Sequence, residues 1–163
     1  MKREAAIYLV DDDTDFREAT TEFLESEGFA TRAFENGARM LERLDPEWDG
    51  LILCDVRMQG MDGFAVLKAV RAAAAKVPFI MMTGHGDIRM AITAIRGGAY
   101  DFLEKPFNDN QIVDLALSAI QTHHAAEAEA ASRRDLAARR ATLSAREDEV
   151  MALMLTGAMN KQI

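Results

Sequence analysis

A handful of residues carries most of the chemistry open to this sequence: Asp11, Asp12 and Asp13 in a row, Asp55 alone, Thr83 followed by Gly84, and Lys105 ahead of Pro106. Crowded carboxylates repel one another, so either one takes up a proton or a cation neutralises them. Hard oxygen ligands of this kind suit Mg²⁺, which binds through one or two carboxylates, keeps waters and accepts phosphate oxygens. Three carboxylates are offset by Mg²⁺ and Lys105 together until a phosphoryl group arrives. A carboxylate can then act as nucleophile and form an acyl phosphate, while metal and ammonium offset charge on the transferring oxygens. Asp55 is the expected acceptor because it stands singly at the end of a central strand, and Asp11 and Asp12 are expected to hold the metal.

Each residue taken singly has a plainer reading. Asp13 reads as the cap of the helix that follows, and Asp11 and Asp12 could serve the same way. Asp55 alone would be a helix cap or a loop residue, Thr83 a strand-end hydroxyl making a local turn bond, and Lys105 a solvated side chain. What favours the joint reading is placement, which depends on the elements that deliver them.

Short apolar runs recur at even spacing: Ala5 to Val10, Ala30 to Phe34, Leu51 to Cys54, Val77 to Met82 and Tyr100 to Leu103. These read as five strands. Helical stripes lie between them: Phe16, Ala19, Phe23 and Leu24; Ala38, Met40, Leu41 and Leu44; Phe64, Leu67 and Val70 to Ala75; Ile88, Ala91, Ile92 and Ile95. Alternating strand and helix, with strands apolar on both faces, predicts an α/β fold with a doubly wound five-stranded parallel sheet and right-handed crossovers. Gly28 after the first helix, Gly37 opening the second, Pro78 at a strand start and Gly97-Gly98 ending a helix punctuate this pattern. In such a sheet ligands bind beyond the carboxyl ends of the strands, near the switch in strand order. Four strand ends would then bring acid, acid, hydroxyl and ammonium to one rim.

The chain has 163 residues, 49% hydrophobic and 28% charged, which allows one full domain and a small appendage but not a large multidomain enzyme. No apolar run reaches the roughly 18 residues of a membrane span, and no signal-peptide pattern opens the chain, so a soluble cytoplasmic protein without a membrane partner is expected. One cysteine, Cys54, excludes an internal disulfide and leaves a thiolate zinc site unsupported; preceding Asp55 on a strand, it should face the other way as a small buried hydrophobe. Residues 1–122 hold 13 Lys/Arg against 21 Asp/Glu and residues 123–163 hold 6 against 6, so the net charge of −8 arises in the first part. That balance argues against non-specific nucleic-acid binding.

From about residue 5 to 122 the chain resembles the receiver domain of two-component response regulators. The resemblance rests on Leu9-Val10-Asp11-Asp12-Asp13, Asp55-Val56-Arg57-Met58 through Asp62-Gly63, Met82-Thr83-Gly84-His85-Gly86, and Gly98 through Phe107 with Lys105-Pro106. It implies that Asp55 accepts a phosphoryl group from a histidine kinase. Asp11, Asp12, Asp55 and the Arg57 backbone carbonyl would bind Mg²⁺, Lys105 would contact the phosphoryl group, and Thr83 with Phe102 would form a switch pair. The Lys105–Pro106 bond would be cis, as X-Pro chemistry permits. Gln59 stands where the family often carries proline, and Phe102 where it often carries tyrosine, so the ring can move but cannot make a new hydrogen bond. On a regular strand Tyr100 would share the face of Phe102. Gly84 leaves open space beside the acceptor, which predicts ready self-dephosphorylation.

Three segments are expected: a phospho-accepting receiver over 1–122, a helical linker over 123–142 that is rich in Ala, Arg and Glu, and a tail over 143–163. In the tail Ser144 and Glu147 form a capping pattern, an apolar stripe from Val150 ends at Gly157, and Asn160 opens another helix. This resembles the start of the LuxR-type helix-turn-helix of FixJ-like response regulators. Its recognition helix would come later, so no DNA-contacting residue is expected within these 163 residues. Transcriptional output would belong to the intact parent protein, with homodimerisation on phosphorylation as the transmission step. Ile88, Arg89, Asp101 and Leu115 are expected on the responding face. A stand-alone phosphorelay receiver is the first rival, against which the capped tail argues. A Mg²⁺-dependent phosphohydrolase of the haloacid-dehalogenase type is the second; such enzymes usually carry an acid two residues after the nucleophile, where this chain has Arg57. His123 and His124 point about 100° apart on a helix and read as solvated, and His85 is placed where it could touch the site.

Overall fold

The computed structural model describes residues 6–142 apart from Ala74, His85 and Asp87, together with Glu147, Glu149 and Ala152. Five strands alternate with five helices: β1 (Ile7–Val10), α1 (Thr14–Ser26), β2 (Thr31–Phe34), α2 (Gly37–Arg43), β3 (Leu51–Asp55), α3 (Gly63–Ala72), β4 (Phe79–Thr83), α4 (Ile88–Arg96), β5 (Asp101–Glu104) and α5 (Asp109–Ala141). All neighbouring strands pair in parallel, in the order β2-β1-β3-β4-β5. The expected doubly wound sheet is therefore what the chain forms. The chain divides into two units, Met1–His124 and Ala125–Ile163.

The alternation of side chains along each strand sends them to two cores. Tyr8, Val10, Ile52, Cys54, Phe79 and Met81 pack with Met40 of α2, Val66 and Val70 of α3 and Ala94 of α4. Ile7, Leu9, Leu51, Leu53, Ile80 and Met82 pack with Leu24 of α1 and Ile112, Ala116 and Ala119 of α5. The central strands β1, β3 and β4 are buried along their whole length, which is why they read as unbroken apolar runs rather than as alternating ones. Methionine serves as filler on both sides, with Met40, Met81 and Met82 fully buried.

Short side chains start the helices. Asp13, Asn36 and Asp62 accept from the amides of Phe16, Arg39 and Ala65, capping α1, α2 and α3. Gly28 follows α1 at φ +94°, a conformation that disfavours any residue with a Cβ. Cα pairing in β4 begins at Phe79, one residue after the expected Pro78, which has no amide to give and joins the ladder only through its carbonyl, accepting from the Ile52 amide at 3.0 Å. Thr83 becomes the last residue of that strand, as Asp55 is of β3.

One expectation fails. Tyr100 does not share the face of Phe102: it packs on the α1/α5 core while Phe102 packs on the other. Tyr100 precedes β5 in a bend, so the two-residue period does not reach it, and its hydroxyl meets the Ser118 hydroxyl of α5 at 2.9 Å. Leu115, expected on the responding face, packs partly buried against the α1/α5 core. Among the described residues, the large hydrophobics that are exposed are Ile88, Ile92 and Ile95 of α4 and Leu117 and Leu136 of α5. His124 lies 3.4 Å from the Asp49 carboxylate, with both side chains more than half exposed. His85 and the tail capping pattern lie outside the described residues.

Arg71, at the end of α3, satisfies backbone that no strand reaches. Its guanidinium donates to the carbonyls of Ala75 and Val77, both at 2.9 Å, and of Gly98 at 2.8 Å. Replacing Arg71 with Ala leaves these carbonyls without that donor and should lower the urea-unfolding free energy by about 2–3 kcal/mol. A change below about 0.5 kcal/mol would show that water replaces the guanidinium at no cost.

Candidate functional site

The switch in strand order falls between β1 and β3, and the residues at their carboxyl ends are Asp11 and Asp55. Asp11 is wholly buried. Its Oδ1 accepts from the Asp13 amide at 2.9 Å and its Oδ2 from Lys105 Nζ at 2.8 Å, while its carbonyl accepts from Arg17 at 2.6 Å. Asp12, next along, is exposed and accepts from the Gln59 amide at 3.2 Å. Asp13 spends its carboxylate on the α1 cap, so the plainer reading holds for that residue. Asp55, 7% exposed, lies 3.2 Å from Lys105 Nζ.

Carboxylate oxygens of Asp11, Asp12 and Asp55 lie within 4.8 Å of one another. Three carboxylates face one ammonium, so the cluster is short of positive charge, and two of the three are buried where water screens poorly. The donor set is all oxygen, with Asp12 still open to solvent, and this fits Mg²⁺. A polar cleft of about 620 Å³, lined by Asp12, Thr14, Arg17, Asn36 and Gln59 among others, opens beside it. Arg57 is exposed immediately after the Asp55-Val56 pair.

Thr83 ends β4, fully buried, and its carbonyl accepts from the Lys105 amide at 2.7 Å. That bond ties the ends of β4 and β5 together beneath the site. The Lys105–Pro106 peptide is cis. At Gly84 a Cβ would meet nothing within 4 Å, whereas at Gly86 it would strike the Thr83 methyl at 2.6 Å and the Phe102 ring at 2.7 Å. Gly86 is therefore wedged between those two side chains. On its other side Phe102 borders a cavity of about 430 Å³ with Ala91, Ile92, Ile95, Arg96 and Asp101. Gly63, which opens α3, lets its helix approach the backbone of Asp55: a Cβ there would come 2.7 Å from the Asp55 carbonyl.

Burial raises the pKa of Asp55 above the ordinary carboxylate value; Lys105 opposes the rise, and Asp11 and Asp12 add to it. Cys54 is likewise pushed well up, by burial first and then by Asp55 and Asp11, which keeps it a neutral thiol. Two contacts went unread in the sequence. Arg17 holds the Asp11 carbonyl, and the ring of Phe16 lies 3.9 Å from Lys105 Nζ. Phe16 fitted the apolar stripe of α1, and periodicity cannot tell a packing ring from one facing a cation.

The shift at Asp55 has a sign that can be tested. With its folded pKa raised, the charged carboxylate costs stability at neutral pH, and that cost disappears as pH falls through the folded pKa to the unfolded one. Asp55→Asn should therefore raise the melting temperature at neutral pH in EDTA, with a gain that shrinks towards pH about 4. Lys105 keeps Asp11 as partner in that variant. A gain independent of pH, or a loss, in thermal scans across this range would refute the assignment.

The description of the response regulator receiver domain matches residues 7–117. The chain is 48% identical over 159 residues to the C4-dicarboxylate transport transcriptional regulatory protein DctR of Rhodobacter capsulatus, spanning 96% of this chain and 81% of that one. It is 41% identical over 164 residues to the transcriptional regulatory protein FixJ of Bradyrhizobium diazoefficiens, spanning 100% of this chain and 80% of the relative. The crystal structure of full-length FixJ from B. japonicum superposes with a TM-score of 0.72 at 39% identity, over 98% of this chain and 79% of that one. An acid cluster at the β1/β3 switch point, a lysine bridging it and homology along nearly the whole length together place this chain in the response regulator receiver family.

Proposed function

We propose that this protein is a phosphorylation-controlled switch in which Asp55 accepts a phosphoryl group from a histidine kinase. The observation that carries the reading is the lysine bridge: Lys105 Nζ lies 2.8 Å from Asp11 and 3.2 Å from Asp55, in a cluster with more carboxylates than cations. Asp11, Asp12, Asp55 and the Arg57 carbonyl would hold Mg²⁺, which when bound supplies positive charge to the phosphoryl oxygens. An Asp55 oxygen attacks phosphorus; the bond from phosphorus to the donor imidazole nitrogen breaks, and its electron pair returns to the ring. Lys105 then pairs with a phosphoryl oxygen, and Thr83 donates its hydroxyl to another. Gly84, with no side chain, admits the donor and later the hydrolytic water.

Drawing Thr83 towards the phosphoryl group frees space next to Phe102, whose ring borders both Gly86 and the α4/β5 cavity. The affected face carries Ile88 at 79%, Ile92 at 46% and Ile95 at 48% exposure, apolar surface suited to a second copy of the chain. We assign residues 1–122 to the receiver, 123–142 to the linker and 143–163 to the start of a helix-turn-helix in a cytoplasmic transcriptional regulator. Relatives that are transcriptional regulatory proteins and align along nearly the whole chain support that output.

Incubation with acetyl phosphate and Mg²⁺ should add one phosphate by intact mass and shift the chain to a dimer on a sizing column. EDTA or Asp55→Asn should abolish the gain, and Lys105→Ala should slow it on the order of a hundredfold. Label retained in Asp55→Asn would move the acceptor elsewhere. The phosphate should be lost within hours at neutral pH; a far longer lifetime would show that Gly84 does not open the site to water.

A further inference from the structure

The geometry points to Phe16 as a positioning residue for phosphoryl transfer: we propose that its ring holds the Lys105 ammonium in place through a cation–π contact. The inference rests on the assignment of Asp55 and Lys105 above. An ammonium has three donors. Two are accounted for by Asp11 at 2.8 Å and Asp55 at 3.2 Å, and Nζ lies 3.9 Å from the centroid of the Phe16 ring. The ring is itself fixed. The Phe16 amide donates to the Asp13 cap at 3.1 Å, and Phe107, two residues beyond Lys105, meets the ring edge-on at 6.0 Å and 85°.

A ring suits this place for a physical reason. A third carboxylate would compete with the phosphoryl group for the ammonium, and a carbonyl would have to be released before Lys105 could move. The face of an aromatic ring attracts a cation without a directional hydrogen bond. Lys105 can therefore pass from Asp55 to a phosphoryl oxygen while staying over Phe16, and it is kept from swinging out to solvent when the Asp55 charge is consumed. An ammonium already held in place needs less reordering when the phosphoryl group arrives, which is how a positioning ring affects the rate.

Fluorination weakens the ring quadrupole with little change in size. Wild type, Phe16→Leu, and chains carrying para-fluoro- or trifluorophenylalanine at position 16 are each incubated with acetyl phosphate and Mg²⁺, and their thermal unfolding is followed in parallel. The rate of phosphate gain should fall in the order phenylalanine, para-fluoro, trifluoro, reaching about threefold to tenfold at the end of the series, while stability stays nearly level. A rate unchanged along the fluorinated series, with loss only in Phe16→Leu and in step with its stability, would overturn the proposal in favour of packing. NMR of lysine-labelled protein gives a readout without phosphate: the Lys105 ε-methylene signal should be shifted upfield by the ring and should lose that shift in Phe16→Leu. No such shift in wild type would overturn the proposal by itself. Phosphate gain that persists in Asp55→Asn would instead overturn the acceptor assignment, and the ring's role in transfer with it.

Discussion

A carboxylate taken fully out of water must find a cation or give up its charge, and Asp11 has Lys105 at 2.8 Å. The two are 94 residues apart in sequence. They directly follow β1 and β5, strands separated in the sheet by β3 and β4, three strand spacings or about 14 Å at the backbone. Only a long side chain carried back over the ends of those strands can close that gap. Lys105 does so from the segment that follows β5, and on the way it meets Asp55. One ammonium thus ties the edge of the sheet to its centre and sets the charge of the pocket. The rest of the site is arranged around the shortage of positive charge that remains.

That shortage connects the pocket to the outer face. Anything that changes the charge at Asp55 acts on Lys105, which is bonded through its amide to the Thr83 carbonyl. Thr83 touches the space of Gly86, which also borders Phe102. Phe102 in turn borders α4, where Ala94 is the buried residue and the isoleucines are exposed. The C-terminal end of α4 is held more firmly: Gly98 and Ala99 return amides to Ile95 and Ala94, and Arg71 holds the Gly98 carbonyl. A helix secured at one end and thinly packed along its length is the element best suited to answer a local change at the site.

Much of this was readable along the chain, and the exceptions share a cause. The five strands, the Asp13 cap and the strand-end positions of Asp55 and Thr83 all follow from local pattern. Tyr100 did not, because the two-residue period holds only inside a strand and Tyr100 stands just before one. Pro78 reads as the start of β4, yet the Cα pairing begins at Phe79; proline gives the ladder no amide, only the carbonyl that accepts from Ile52. Phe16 and Arg71 belong to ordinary helical patterns, yet their contacts are with Lys105 and Gly98, residues distant in sequence.

The order of acids, hydroxyl and ammonium along the chain, and the periodicities that make strands and helices, are properties of neighbours a few residues apart. These the amino-acid sequence determined by itself. Which of two adjacent aspartates is buried, which cation reaches it and which ring lies beside that cation were decided only when the strands took the order β2-β1-β3-β4-β5. Burial and ion pairing depend on distances in space between groups far apart in the chain, and local pattern does not encode those distances.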